Sequence, residues 1–472
     1  MKDLPDRFVT IAALCILPWL FYLVYGLAQG YSFWIDELFS VVLSRQTWIE
    51  QLNVVLEDVH PPLYQLILSL WTSVFGVSEA AARALSAAFA AGSLVFAIGL
   101  GRMAGGLTGI TFIILFLSNW LVFFYAQEVR AYAMLLFLST AALFFFLTNR
   151  YRWLLAASLA LSTTHFFGLL FALLCLLWTI VKDGQRGGAI TVLALGLIWP
   201  VIYLLGPGGQ AVLGGTFWIE TRGLAIFPHA TEAGWPQLTF FLRTLGLPQI
   251  GTSIFIVMMV SIAALRSRRN PFKPEVIKCL YLTFGAIGAV MVISIHTPVS
   301  TIRNFIILVA PMSFLLAVPV ANALNSIGLK PARLLCLLVV FGLGHISISQ
   351  QMQWRFSPAQ DWKGASRSAA DLAKTLGLTR VFAFEDIRKP VYKERFEFYL
   401  PETISVEMIT KENLGSIPAG AILLFAHLPR TTPVGDACGN ELTDALTALG
   451  RTGEVMFSTQ SMTCRNGHIL VQ

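Results

Sequence analysis

Two short polar stretches interrupt long apolar runs near the start of the chain, and the first carries two adjacent carboxylates. The stretch YSFWIDELFS places Asp36 and Glu37 just after an apolar run, between Trp34 and Phe39. A carboxylate partly withdrawn from water among aromatic side chains is suited to accept a proton as a general base. A solvated helix cap is the alternative interpretation of the same two residues.

The second stretch, EDVHPPLY, adds an acid and an imidazole. Asp58 and His60 are two residues apart, so both point to one face of an extended segment. Together they could polarise a hydroxyl group or hold a divalent cation through oxygen and nitrogen ligands. Pro61 and Pro62 end any preceding helix, and Pro62 can start the next one. A cap before that helix would explain the pair equally well.

Three arginines stand at the beginnings of apolar segments: Arg83, Arg130 and Arg303. An arginine buried at a membrane boundary costs free energy unless it meets an anion or water, which makes each a functional candidate. For any one of them, a side chain that extends to the membrane surface is a sufficient explanation. Three such arginines on the side that also carries the acidic first loop, residues 29–83, favour a functional role.

The elements that must position these residues are membrane helices. Of 472 residues, 56% are hydrophobic and 12% charged, with a mean hydropathy of +0.70, whereas a soluble domain has about 25% charged residues. The sequence thus predicts a multi-span α-helical membrane protein with about eleven spans of roughly 20 residues. The candidate spans are 8–28, 84–101, 107–125, 131–148, 151–164, 166–181, 189–206, 250–265, 276–295, 304–322 and 332–349.

Two apolar segments need separate interpretations. The run 8–28 is too long for the apolar core of a cleaved signal peptide, so it is predicted to be an anchor. The run 63–76 is too short to span a bilayer comfortably and is predicted to be an interfacial helix.

The basic residues predict the orientation. With the N-terminus in the cytoplasm, the short cytoplasmic loops hold most of the Lys and Arg residues of the membrane region, which obeys the positive-inside rule. The opposite, longer loops hold only Arg45, Arg83, Arg130, Arg222, Arg243 and Arg303. The net charge of +7 is therefore explained by membrane orientation, and it gives no reason to expect a nucleic acid as partner.

The composition changes to that of a soluble protein from residue 355 onward. This predicts a membrane domain over 1–354 and an extracytoplasmic α/β domain over 355–472, in which strands and helices alternate. Cys438 and Cys464 lie there and could form a disulfide in an oxidising compartment, or remain two unrelated thiols. The predicted elements are helices at 366–376, ended by Gly377, and 441–449, and strands at 379–385, 421–426, 453–458 and 467–472.

Four stretches of this chain resemble the GT-C class of membrane glycosyltransferases. They are YSFWIDELFS, DVHPPLYQLILSLWTSVFGVSEAAARALS, YAQEVRAYAMLL and TTHFFGLL, which follow one another in the family's order between residues 31 and 170. The most similar group is that of the bacterial protein O-mannosyltransferases and aminoarabinose transferases. Its hydrophobic architecture and outer soluble domain match the organisation predicted for the whole chain.

The resemblance implies transfer of a sugar from a polyprenyl-phosphate donor to an acceptor on the outer face of a bacterial plasma (inner) membrane. It implies Asp36 as catalytic base with Glu37 beside it, and Asp58 and His60 as a second loop motif. Arg130 matches the arginine of the family's third motif. A donor-phosphate role for Arg83, Arg130 and Arg303 is inferred from their charge and their side of the membrane. The candidate substrate-binding residues are Arg83, Glu128, Arg130, Tyr132, His165 and Arg303. Metal use varies in the class, so a divalent cation at Asp58 and His60 stays open.

The main alternative to an enzyme is a multi-span transporter or flippase of lipid-linked sugars. Such a protein would place ionisable residues near the bilayer midplane and would show internal repeats. Here the ionisable residues cluster at helix ends, and the sequence has no visible repeat. A non-catalytic lipid-binding scaffold would explain the arginines but not the acidic loop. The sequence does not identify the sugar, or whether the acceptor is a glycolipid such as lipid A, a polysaccharide or a protein.

Overall fold

The structure is a computed structural model that describes residues 4–58, 60–213, 273–294, 301–327, 329–356, 361–384, 392–410, 412–426, 446–450, 453–457 and 466–471. The chain divides into two compact units. The first unit comprises Met1–Leu27, Thr47–Trp71 and Arg83–Gln351. The second comprises Ala28–Gln46, Thr72–Ala82 and Met352–Gln472.

The described residues up to 356 are almost entirely helical. A 3-10 helix, Ile302–Leu308, precedes the last two helices of this region. The α-helices are α1 Leu4–Ala28, α2 Ile35–Ser44, α3 Trp48–Glu57, α4 Leu63–Phe75, α5 Glu79–Ala104, α6 Gly106–Ser118, α7 Trp120–Tyr125, α8 Tyr132–Leu147, α9 Tyr151–Thr164, α10 Phe166–Val181, α11 Arg186–Leu205, α12 Pro207–Leu213, α13 Pro274–Ser294, α14 Val309–Ser326 and α15 Lys330–Phe356.

Five segments among the described residues are long and apolar enough to cross a membrane. They lie in α1, α5, α11, α13 and the stretch Arg303–Ser326. Large apolar side chains such as Phe21, Val24 and Leu205 are exposed on these helices, as expected where lipid is the solvent. The protein is thus an integral membrane protein with a mainly α-helical fold. Four shorter apolar helices, α4, α6, α8 and α10, accompany the five segments.

The predicted spans fall on helices wherever the structure describes them. The spans 151–164 and 166–181 coincide with α9 and α10, and the short segment 63–76 coincides with α4. The span 250–265 lies outside the described residues. Because several helices have 16 or fewer residues, the number of full crossings stays a prediction.

One predicted span is wrong as a single helix. Over 107–125 the chain forms α6 and then α7, with a break at Asn119. Asn119 adopts an extended conformation, and its side-chain oxygen accepts a hydrogen bond from the Leu121 N–H at 3.0 Å. This side chain starts a second helix, because it satisfies a backbone donor that a continuous helix would have paired internally.

Aromatic packing joins the helices that carry several candidate residues. Phe96 of α5 contacts Phe137, Phe144 and Phe145, with ring centroids 5.3 to 5.9 Å apart. Such ring pairs contribute roughly 0.5–1.5 kcal/mol each beyond the area they bury. They hold α5, which carries Arg83 near its N-terminal end, against α8, which begins at Tyr132.

The second unit contains a five-stranded mixed sheet. Its strands are β1 Arg380–Phe384, β2 Ser405–Ile409, β3 Ile422–Ala426, β4 Gly453–Phe457 and β5 Asn466–Val471, and their order is β2-β1-β3-β5-β4. β1 is parallel to β2 and β3, whereas β5 is antiparallel to β3 and β4. Two further helices, α16 Trp362–Leu376 and α17 Tyr392–Glu397, belong to this unit.

The small sheet is covered by apolar side chains on one face and by α16 on the other. Leu423 and Ile469 pair across β3 and β5 and face the apolar core. α16 packs against β3 and β5 through small buried residues such as Ala369 and Ala373. It ends at Gly377 in the left-handed conformation with φ +67°, which glycine adopts without steric cost.

The prediction of a C-terminal α/β region is confirmed, including four strands and the helix ended by Gly377. β2 and α17 were not predicted, although Ile404, Val406 and Met408 alternate with Ser405 and Glu407 at β2. Cys438, Cys464 and most of the predicted helix 441–449 lie outside the described residues. The predicted boundary at residue 354 stays a prediction, and the second unit also includes both ends of the first loop, Ala28–Gln46 and Thr72–Ala82.

Candidate functional site

The motif EDVHPPLY forms a tight connection between two helices of the first unit. α3 ends at Glu57, and the backbone of Asp58 is extended. α4 begins at Leu63, and the Pro62 carbonyl accepts its first hydrogen bond, from Leu66. The Asp58 carboxylate lies 3.0 Å from Nδ1 of His60. The two residues therefore form a carboxylate–imidazole pair, as their spacing predicted.

The Arg130 motif forms an irregular turn between α7 and α8. The Glu128 carbonyl accepts hydrogen bonds from the Arg130 N–H, at 2.8 Å, and from the hydroxyl of Ser86 in α5. These two hydrogen bonds fix the turn against α5, and the Arg130 side chain extends from the fixed turn. Two tyrosines, Tyr125 and Tyr132, contact each other across the turn, with ring centroids 4.7 Å apart and ring planes tilted by 55°.

Arg130 reaches the carboxylate–imidazole pair. Its Nη2 lies 3.4 Å from each ring nitrogen of His60. With Asp58 ionised, His60 Nδ1 carries the ring proton and donates to the carboxylate, so Nε2 can accept from the guanidinium group. Residues 70 positions apart in the sequence thus form one polar contact between the two motifs.

His165 joins the same group from a third element. It is the only residue between α9 and α10, and its Nδ1 accepts a hydrogen bond from the Phe167 N–H at 3.1 Å. This bond caps α10 and leaves the ring proton on Nε2. The sharp corner depends on Gly168, where an added Cβ would lie 2.4 Å from the Leu161 carbonyl oxygen. The His165 ring centroid lies 5.3 Å from that of His60.

Tyr132 and Arg303 complete the group on the other side of His165. The Tyr132 ring lies 5.7 Å from the His165 ring, and the guanidinium carbon of Arg303 lies 5.6 Å from the centre of the Tyr132 ring. A cation at this distance from an aromatic face is held by about 0.5–2 kcal/mol. Asp58, His60, Arg130, Tyr132, His165 and Arg303 together are called the polar cluster below.

Burial decides the charge of the two histidines. Desolvation lowers the pKa of His60, partly offset by Asp58. Desolvation also lowers the pKa of His165 well below its ordinary value, and the neighbouring His60, Arg303 and Arg130 lower it further. Both rings are therefore neutral at pH 7, and the fixed positive charges of the polar cluster are the two guanidinium groups.

Arg83 and Glu128 belong to the first unit and are buried. Arg83 lies in the first turn of α5, three residues before Ser86, so it shares a helix face with the residue that contacts the Arg130 turn. The observed role of Glu128 is that of its backbone carbonyl, which shapes the turn. Their substrate-binding roles stay predictions.

Asp36 and Glu37 belong to the second unit, in the first turn of α2. The Glu37 side chain is fully buried and accepts a hydrogen bond from the Trp34 N–H at 3.2 Å. Glu37 thus caps its own helix, which is a structural role. Asp36 is partly exposed beside it, at the end of the helix where backbone N–H groups favour negative charge.

The residues around Asp58 and His60 do not fit a dedicated metal site. Over the described part of the chain, no group of three or more His, Cys, Asp or Glu side chains is placed to hold an ion. Asp58 and His60 already contact each other, and the charge beside His60 is the guanidinium of Arg130. A hard divalent cation takes six or more oxygen ligands, which Asp58 and His60 alone do not provide.

The polar cluster has the chemistry of an anion-binding site. The cluster contains two arginines, and the planar guanidinium group of each presents a fork of N–H donors that matches the oxygens of a phosphate. The neutral His165 offers a further Nε2–H donor, and the aromatic rings of Tyr125 and Tyr132 exclude water from one side. The sequence did not point to Tyr125 as a site residue. A signal was present, because Tyr125 and Tyr132 stand on either side of the stretch AQEVRA.

Comparison with known proteins rests on structure alone. No family model and no curated protein sequence matches the chain. Among solved structures, it is similar to ArnT from Cupriavidus metallidurans bound to undecaprenyl phosphate, with a TM-score of 0.57 and 14% identity over 98% of both chains. The apo state of the same ArnT gives a TM-score of 0.46 and 12% identity, again over 98% of each chain.

The chain has an ArnT-like fold. The fold that the sequence motifs indicated is thereby confirmed. An identity of 14% does not carry individual residues over from ArnT. The roles of the polar cluster must therefore be argued from its own geometry.

Proposed function

We propose that this protein is an integral-membrane glycosyltransferase that moves a sugar from a polyprenyl-phosphate donor to a hydroxyl group of an acceptor. The acceptor is a glycolipid such as lipid A, a polysaccharide or a protein. The observation that carries the proposal is the contact of Arg130 with the Asp58–His60 pair, with Arg303 held against Tyr132. The ArnT-like fold supports it, because that ArnT structure holds undecaprenyl phosphate.

In this proposal, the polar cluster binds the phosphate that links lipid and sugar. The acceptor oxygen forms a bond to the anomeric carbon while the bond from that carbon to the phosphate oxygen breaks. Negative charge then grows on the departing polyprenyl phosphate. Arg130 and Arg303 stabilise this charge in a partly dry environment, where such preorganised donors contribute most. A single displacement of this kind inverts the anomeric centre.

The acceptor proton must pass to a base, and we propose Asp36 for this role. Glu37 is fully buried and holds the Trp34 N–H, so its carboxylate is engaged in shaping α2. Asp36 is partly exposed on the same turn. A positioned general base contributes on the order of 10²–10⁴-fold to a rate, and losing one donor to a developing anion costs about 10²–10³-fold.

The proposal is tested with wild type and the variants Asp36→Asn and Arg130→Gln in cells that lack the protein. Mass spectrometry of lipids and envelope proteins should show a sugar-sized mass gained with wild type and lost with both variants. In detergent, the Arg130→Gln protein should also bind polyprenyl phosphate more weakly, whereas Asp36→Asn should bind it normally.

The exposed residues Glu57 and Arg45 provide matched controls of the same chemical types. Glu57→Gln and Arg45→Gln should retain wild-type transfer. Normal turnover by Asp36→Asn would remove the base from the proposal. If wild type changes no glycan but moves a lipid-linked sugar across vesicles, the protein is a transporter instead.

A further inference from the structure

The chain segment that leads into Asp36 is fastened by residues more than 300 positions later. Nζ of Lys363, in the first turn of α16, donates to the Gly30 carbonyl at 2.8 Å and lies 2.9 Å from a carboxylate oxygen of Glu79. The two charged side chains are only 19% and 12% exposed. One lysine therefore contacts both the segment before Asp36 and the first residue of α5. These residues all belong to the second unit.

The backbone of the same residue makes a third contact with the loop. The Lys363 N–H donates to the hydroxyl oxygen of Ser32 at 3.2 Å. This N–H is one of the first-turn donors of α16 that have no partner inside the helix. Asp361 accepts the next such donor, from Gly364, at 2.8 Å. Ser32 thus shares the capping of α16 with Asp361, which makes the loop part of this helix terminus.

A second anchor lies three residues before Asp36. The Phe33 N–H donates to the Tyr399 hydroxyl at 2.9 Å, and the fully buried Phe33 ring packs edge-on against Phe398 with centroids 6.0 Å apart. α2, which begins two residues later, packs against α17. The contacts fix both the backbone and the side chain of the residue from which α2 starts.

Gly30 has the conformation that this arrangement requires. Its φ is +59°, and a Cβ at this position would lie 3.9 Å from Nζ of Lys363. A side chain would be strained by the left-handed backbone. The turn at Gly30 aims its carbonyl at the lysine, so the polar contact depends on the local sequence of the loop as well as on α16.

We propose that Lys363 and Tyr399 are positioning residues that set the location of the Asp36 carboxylate for sugar transfer. The proposal rests on the function proposed above. Neither side chain needs to touch substrate; each holds the segment Gly30–Phe33 from which α2 and its acidic first turn extend. The C-terminal region would then be a part of the catalytic machinery, since it fixes the base, and not only a cover.

The expected effect follows from the sensitivity of proton transfer to geometry. A catalytic group misplaced by about 1 Å can lower the rate on the order of 10²-fold. Loss of one of several anchors should displace the Asp36 carboxylate less and therefore lower the rate less. We expect Tyr399→Phe, which removes only a hydroxyl group, to lower kcat about tenfold. The KM for the donor should stay within about twofold, because Tyr399 does not contact the donor in this proposal.

Lys363→Met alone would leave the Glu79 carboxylate buried without its cation, which can prevent folding. The double variant Lys363→Met/Glu79→Gln removes both charges and keeps the test interpretable. The exposed pair Arg380–Glu407, at 3.0 Å on the same domain, is the matched control. Arg380→Met/Glu407→Gln should leave kcat and stability nearly unchanged, since exposed pairs contribute about 0–1 kcal/mol.

Two readouts separate positioning from a merely structural role. In purified full-length protein, hydrogen exchange of the peptide 30–44 should quicken in Tyr399→Phe and in the double variant. In an Asp36→Asn background, Tyr399→Phe should cause no further loss of the residual rate, because the group that it positions is gone. Unchanged exchange, or the same tenfold loss in both backgrounds, would overturn the proposal.

Failure of the proposed function has a different signature. If wild type transfers no sugar under any condition, the role of Asp36 is lost and catalytic positioning is lost with it, whatever hydrogen exchange shows. If wild type transfers sugar and Tyr399→Phe keeps the wild-type kcat, only the positioning proposal is wrong.

Discussion

His60 and His165 face each other with opposite ring protonation. His165 Nδ1 accepts from the backbone of α10, so its free donor is Nε2–H; His60 Nδ1 donates to Asp58, so its Nε2 is an acceptor beside Arg130. Each tautomer is set by the element that carries the ring. One histidine therefore contacts an arginine, and the other keeps an Nε2–H donor that, in the proposed function, would face a ligand.

The burial of His165 predicts how stability depends on pH. Its pKa is lowered in the folded protein, mainly by desolvation, whereas the unfolded chain takes up a proton near the ordinary value of 6.5. Below that pH, the unfolded state binds more protons than the folded state, so stability falls as the pH falls. His165→Asn keeps a capping oxygen for α10 but cannot titrate, so its loss of Tm between pH 7.5 and pH 5 should be smaller than that of wild type.

Thermal unfolding in detergent at several pH values tests this expectation. His165→Ala is the control: it removes both the cap and the titration, so its Tm should be lower at every pH while its pH dependence is also reduced. Equal slopes in wild type and His165→Asn would show that this histidine does not resist protonation.

The sequence identified every member of the polar cluster but not their arrangement. Asp58 and His60 were paired by their spacing alone, since two residues in an extended segment share a face. The contact from Arg130 to His60 could not be derived, because it joins residues 70 positions apart through the packing of three helices. Glu128 shows the reverse case: its side chain drew attention, whereas its backbone carbonyl is what shapes the turn.

At the scale of elements, α2 illustrates a cap that sequence rules do not recognise. Helix α3 has the familiar signature, Thr47 followed by Glu50, and its capping box is formed. α2 starts after Trp34, which has no side-chain acceptor, yet Glu37 performs the same backward contact as Glu50 does. Glu37 therefore has a capping role that the sequence rules did not show, and its catalytic role stays a prediction.

Substitution of Glu37 separates its two possible roles. Glu37→Gln keeps an oxygen for the Trp34 N–H and should retain most of the transfer activity and the Tm. Glu37→Ala leaves this donor without its partner and should cost about 0.5–2 kcal/mol of stability. Activity and thermal unfolding, measured on the same preparations, decide the matter. A loss of activity in Glu37→Gln as large as that in Asp36→Asn would indicate that the Glu37 carboxylate takes part in the chemistry.

Helix positions were predictable because apolar runs report them directly, whereas breaks depend on single polar contacts. Asn119 interrupts the predicted span 107–125 without any proline or glycine nearby. Its side-chain oxygen competes with backbone carbonyls for a backbone N–H donor. Only the structure shows that the side-chain hydrogen bond forms.

At the scale of the whole molecule, the distribution of basic residues predicts which ends are on which side of the membrane. The connection between α10 and α11 carries Lys182 and Arg186 and is proposed to be cytoplasmic, whereas the C-terminal α/β region is proposed to be extracytoplasmic. Alkaline phosphatase fused after Gln472 should be active, and the same enzyme fused after Gly184 should be inactive. A fluorescent protein that folds only in the cytoplasm should give the opposite pattern, and any other result would reverse or refute this topology.

The division of the chain into two units was the feature least accessible to sequence reasoning. A change in composition near residue 355 marks where the soluble part begins. The composition does not show which other segments of the chain join that part. The loop segments Ala28–Gln46 and Thr72–Ala82 join that part through contacts such as Phe33 with Tyr399, which are 366 positions apart.

The fastening of Gly30–Phe33 by Lys363 and Tyr399 also sets an order for biogenesis. Ribosomes make the segment that carries Asp36 early, but its partners are among the last quarter of the chain to be synthesised. A nascent chain can thus insert its helices without yet having an anchored first loop. If the proposed function holds, sugar transfer would begin only after the C-terminal region has been delivered and folded, so an incomplete chain in the membrane would transfer no sugar.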